Sequence, residues 1–111
     1  MYMPQSYLIF DFGANEEAAQ QARHRIEGWK QAFRLGGKLQ LKFERQAESS
    51  NGGEHIRLLI RLDFSDHERL SHHSWLERIP GEEPFKSAAQ QILRRGEEGF
   101  DSTRDLFDSL P

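Results

Sequence analysis

Three of the five histidines fall within seven residues, His67, His72 and His73, and Glu68 stands beside the first. Imidazoles four residues apart on a helix share a face and can share a metal, as in His-Glu-x-x-His. His67 and His72 are five apart, so at 3.6 residues per turn they diverge by about 140°. Glu68 does meet His72, and His73 meets Glu77, because i and i+4 are neighbours. A catalytic zinc takes three protein ligands and a structural one four. The spacing therefore predicts a polar helix face with carboxylate–imidazole pairs. His72 projects between Leu76 and Ile79 and is expected to be partly buried. His67, Glu68, His72 and His73 are the residues on which a metalloprotein or enzyme reading rests, and no cofactor is implied.

Other reaction chemistry is thinner. The chain has no cysteine, hence no disulfide, no thiolate metal site and no thiol nucleophile. Ser71 and Ser74 lack the Gly-x-Ser-x-Gly elbow. Gly36-Gly37 and Gly52-Gly53 lack the Gly-x-x-x-x-Gly-Lys spacing that cradles phosphates. Glu82-Glu83 and Glu97-Glu98 are adjacent acids, which do not face one another on a helix. The reading is not that of an enzyme.

A second constellation is electrostatic. Lys38, Lys42, Arg57 and Arg61 occupy polar positions of two alternating stretches, which would place them on one sheet face. An open basic sheet is how RNA-recognition domains work, but those stack bases on aromatics of the central strands. Tyr7 is the one ring expected on this face. The net charge of −3 does not suggest non-specific nucleic-acid binding. The acidity is concentrated late: residues 65–111 carry ten acidic and six basic side chains.

The elements that position these residues are read from periodicity. In Lys38–Arg45, Leu39, Leu41 and Phe43 alternate with polar residues; in His55–Phe64, Ile56, Leu58, Ile60, Leu62 and Phe64 do the same. A period of two fits half-buried strands. Residues 46–53, with Asn51-Gly-Gly53, have turn chemistry, so the pair is a predicted β-hairpin. Ser6–Phe12 reads as an earlier strand, apolar on both faces and therefore central. Asn15 should cap a helix whose stripe is Ala19, Ala22, Ile26, Trp29 and Phe33, ending at Leu35-Gly36-Gly37. Gly28, inside it, is expected to mark close packing. Ser65 and Glu68 form a capping box for a helix that stops before Pro80. Pro84 is placed at the first turn of a further helix carrying Phe85, Ala88, Ala89, Ile92 and Leu93, and Ser102 before a last short one.

With 111 residues the chain is expected to be one α+β domain, 1–111. The predicted architecture is a three-stranded antiparallel sheet of order 1-3-2, opening β-α-β-β as a ferredoxin-like half and followed by a helical C-terminal half. The N-terminus lacks a basic region ahead of an apolar run, and no apolar run approaches membrane length, so the default is a cytoplasmic protein without membrane contact.

Pairing of the first and third strands would gather Tyr7, Ile9 and Leu59 into an apolar patch inside the basic ring. Leu106, Phe107 and Leu110 of the last helix, a second copy or another protein would cover it, the acidic helix being complementary to the ring. The expected role is a non-catalytic protein-binding or assembly module, self-associating through the sheet or the C-terminal helices. Nucleic acid on the basic face, and then the histidine cluster, are the alternatives.

Overall fold

The computed structural model describes residues 5–47 and 54–110. The predicted turn around Asn51-Gly-Gly53 lies outside the described residues. The elements are β1 (Gln5–Asp11), α1 (Glu16–Ala32), β2 (Leu39–Ala47), β3 (Glu54–Asp63), α2 (Arg69–Gly81), β4 (Ala89–Arg94) and α3 (Phe100–Ser109), with single 3-10 turns at Gly36–Lys38 and Asp66–Glu68. The strands form one antiparallel sheet in the order β2-β3-β1-β4. Up to β4 this is the β-α-β-β-α-β succession of ferredoxin-like folds, to which α3 is added.

Local signals behave as their chemistry requires. Asn15 Oδ1 accepts the Ala18 amide at 3.0 Å, which satisfies one of the unpaired donors of the first turn of α1. Ala19, Ala22, Ile26 and Trp29 are buried against the sheet. The helix ends earlier than expected, at Ala32, because Arg34 takes the left-handed conformation (φ 53°) and the Leu35 amide bonds back to Lys30. Phe33 therefore leaves the stripe; it is 51% exposed and lies edge-on to Trp75, with the Arg78 guanidinium 5.2 Å from its ring centre. The Ser65–Glu68 capping box forms, with the Ser65 amide donating to Glu68 Oε1 at 3.1 Å.

Two more expectations, on the sheet and on α2, are corrected. The sheet has four strands, and the predicted helix over Phe85–Leu93 is a turn followed by β4. Taken alone, Ala88-Ala-Gln-Gln-Ile-Leu93 suits a helix. Pairing decides otherwise, because β1 is buried along Tyr7–Phe10 and its second edge would be left without partners. Ser6–Asp11 pair with Arg94–Ala89 along that edge. Pro84 sits in the turn after a cis peptide bond rather than at a helix start. Phe85 is fully buried, its ring 4.9 Å from that of Phe10 and 6.1 Å from that of Trp29. The other correction is smaller: α2 carries Pro80 in its last turn and ends at Gly81.

Gly28 does not mark close packing. A Cβ there would meet no atom within 4 Å. Gly28→Ala should therefore stabilise the protein by about 1 kcal/mol, the helix-propensity difference alone. Urea denaturation reads this out; an unchanged or lower midpoint would show that the position is constrained by something other than helix propensity.

Candidate functional site

The sheet has two faces and each carries its own core. Leu8, Phe10, Ile56, Leu58, Ile60 and Leu62 pack beneath α1 and α2. Tyr7, Ile9, Leu59 and Leu93 pack beneath α3, where they meet Phe100 and Phe107, with Leu106 and Leu110 partly buried around them. Register explains the second group: Ile9 opposes Leu59, and Tyr7 opposes Arg61 on one side and Leu93 on the other. Gly99, at φ 90°, turns the chain into α3. The Tyr7 ring centre is 5.2 Å from that of Phe100 and 5.7 Å from that of Phe107. The apolar patch expected from the sequence thus exists, and this chain's own last helix occupies it.

The four basic residues singled out from the sequence all have partners. Lys42 donates to the Phe107 carbonyl at 2.7 Å, among the last carbonyls of α3, and its ammonium lies 4.6 Å from the Phe107 ring centre. The Arg61 guanidinium lies 4.6 Å from the same ring, donates to Asp108 at 3.1 Å and bonds Gln40. Arg57 donates to Glu44 at 2.6 Å, and Lys38 is bonded to Glu68. Burial raises the Tyr7 phenol pKa, against the lowering influence of the neighbouring Arg61. The Tyr7 hydroxyl and Arg61 Nε are both buried without a regular hydrogen bond.

The histidines separate. His72 is buried, its Nε2 is 3.0 Å from Ser6 Oγ, and its ring packs 5.7 Å from that of Phe64. His73 Nε2 lies 3.0 Å from Glu77, as the spacing predicted, and His67 is exposed. Glu68, expected beside His72, is taken by Lys38 and Ser65, which hold its carboxyl pKa down at about 2. Among the described residues no group of three His, Cys, Asp or Glu side chains is placed to hold a metal ion.

Two surface depressions went unread in the sequence. One follows the outer edge of β2. Its floor is Leu41 and Phe43, half-buried, and Arg23 and Lys30 of α1 line it together with Lys42, Arg45 and Arg61. The other lies at the far edge of the sheet, where β1, β4 and α2 meet. Neither has a local motif, because each draws residues from distant elements.

The fold class defined by this geometry is the ferredoxin-like α+β sheet with a third layer. A solved structure, "De novo designed protein Foldit4", is similar over 86% of this chain and 99% of its own, at 14% identity and a TM-score of 0.50, a likeness of fold. A second designed protein "with ferredoxin fold" (17% identity, 89% of each chain, TM-score 0.41) and CutA from Synechococcus elongatus (13% identity, 82% of this chain and 76% of that one, TM-score 0.34) are also matched. No family model and no curated protein matches the chain. No helix among the described residues is long and apolar enough to cross a membrane.

Two predictions follow from the packing and the titrations. Phe107→Ala should cost about 3–5 kcal/mol, because it empties the centre of the outer core. Tyr7→Phe should stay within about 1 kcal/mol of the parent, because the hydroxyl it removes makes no regular bond. Chemical denaturation of both variants checks the contrast; a large loss in Tyr7→Phe would reveal a bond at that hydroxyl.

Burial, then Arg94 and His73, depress the His72 pKa below its ordinary 6.5. Below that pH the unfolded chain takes up a proton that the folded chain refuses, so stability should fall as pH drops from 6.5. Glu68 adds a second loss between its ordinary 4.5 and about 2, where its contacts to Lys38 and Ser65 are protonated away. Unfolding midpoints measured across pH should show both windows, and His72→Gln should flatten the upper one alone.

Proposed function

We propose that this protein is a non-catalytic protein-binding module and that it takes up an extended acidic segment of a partner along β2. The single observation behind this reading is an edge strand beside a cationic groove. β2 is nine residues long and stands at the end of the strand order, paired on one side by β3. An outer strand edge is a template for β-addition, in which backbone bonds give affinity and alternate side chains give specificity. Leu41 and Phe43 offer apolar seats at alternate positions of β2. Arg23, Lys30, Lys42, Arg45 and Arg61 surround them, and Glu27 is the one acid in that lining. Several of these cations already bond acids, Arg23 to Glu27, Arg45 to Glu16 and Arg61 to Asp108, so the surplus charge is modest. It suits a segment carrying a few carboxylates.

The other readings have less behind them. Self-association through the sheet face would have to displace α3 from Leu59, and pairing two β2 edges symmetrically would bring two cationic grooves together. Nucleic acid would have no ring to stack on at the outer face, since Tyr7 and Phe107 lie under or within α3. A metal or catalytic role for His67, His72 and His73 lacks a shared ligand geometry.

A labelled ten-residue peptide alternating aspartate and valine, titrated by fluorescence anisotropy, tests the proposal. Binding should weaken as salt rises, and Arg23→Glu with Lys30→Glu should weaken it about tenfold with folding unchanged. A peptide with lysine in place of aspartate should not bind. Tighter binding of a single-stranded oligonucleotide would overturn the reading in favour of nucleic acid. Sedimentation should give the monomer mass across concentrations; a doubling would restore self-association.

A further inference from the structure

The second depression lies on the opposite side of the sheet from β2, at the ends of β1 and β4 and the start of α2. It is a cleft of about 440 Å³, within the usual range for a small-ligand site. Arg69, Arg94 and Arg95 stand in its wall with His72 and His73, and no carboxylate belongs to the lining. The floor is polar and fixed: Ser6 is fully buried, and its hydroxyl is 3.0 Å from Nε2 of the buried His72. These residues come from three elements, so the arrangement is a product of the fold.

The forks of Arg94 and Arg95 have long polar contacts, and the Arg95 guanidinium also lies 5.7 Å from the Phe100 ring centre. Arg94 Nη1 is 4.0 Å from Glu97 Oε1, and Arg95 Nη2 is 3.4 Å from the neutral Gln5 Oε1. Arg69 is more firmly held, 3.0 Å from Asp66. A guanidinium presents a planar set of donors that matches a phosphate bidentately, and it keeps its charge when partly desolvated. From this geometry we infer a site for a phosphate group, gripped by Arg94 and Arg95 and steered by Arg69 and His73, with Ser6 and His72 as its floor. Burial is the main cause that keeps His72 neutral; Asp63 opposes it, and Arg94 and His73 reinforce it as nearby positive charge does. A bound dianion would reverse that influence.

The experiment is a titration followed by NMR of the amide and imidazole signals, with sodium phosphate in one arm, phenyl phosphate in a second and benzyl alcohol in a third. Saturable shifts at Ser6, His72, Arg94 and Arg95 are expected in the phosphate arms and none with the alcohol. Tighter binding of phenyl phosphate identifies an organic phosphate ester as the ligand class; equal binding identifies free phosphate. Arg94→Gln with Arg95→Gln should weaken binding about tenfold while the unfolding midpoint without ligand is unchanged. Absence of saturable shifts up to roughly 10 mM phosphate, or equal binding by the double variant, would overturn the inference.

Discussion

The two central strands are apolar on both faces, and much of the structure follows from that. Tyr7 to Phe10 of β1 and Leu58 to Ile60 of β3 are buried without alternation. A strand of this kind needs cover above and below. The first cover is the usual one, α1 and α2 with Trp29, Trp75 and Phe85 between them. The second is α3, whose Phe100 and Phe107 close over Tyr7 and Leu59. Without it the outer face would expose a contiguous apolar patch at the middle of the sheet.

Electrostatics then decide how α3 is held. The outer-face cations look, in one dimension, like an open basic surface. In the fold, Lys42 and Arg61 flank the Phe107 ring, and one bonds the Phe107 carbonyl while the other bonds Asp108. Their charges meet the acidic end of α3, where a helix dipole also favours cations. The concentration of acidic residues late in the chain is answered, in part, within the same molecule. Other cations face outward, among them those of the strip along β2 and of the arginine cleft at the far edge, and the two proposals rest on these.

Legibility from the sequence divides by distance along the chain. Alternation over Lys38–Arg45 and His55–Phe64 identified two strands and the faces of their side chains, because strand periodicity is local; Lys38 itself falls in the 3-10 turn before β2 and bonds Glu68. Asn15 and Ser65 announced helix starts through bonds spanning three residues. The patch of Tyr7, Ile9 and Leu59 was legible once β1 was set beside β3. Leu106, Phe107 and Leu110 were recognised as able to cover it, but only three dimensions showed that they do so in the same chain. The histidine spacing correctly paired His73 with Glu77. It misplaced Glu68, whose true partner, Lys38, is thirty residues away.

β4 marks the limit of the sequence. Its residues suit either a helix or a strand locally, and the deciding term is the unpaired edge of β1, about eighty residues earlier. The cleft of Arg69, Arg94 and Arg95 has the same origin, since nothing within α2 or β4 alone places those guanidinium groups together. By itself the sequence determined that β2 and β3 alternate, which of their side chains must leave water, and the caps at Asn15 and Ser65. These depend on neighbours a few residues away. The tertiary structure decided the fourth strand, the occupant of the outer face and the grouping of the cations, because each depends on which distant backbone edges and apolar faces must be satisfied at once.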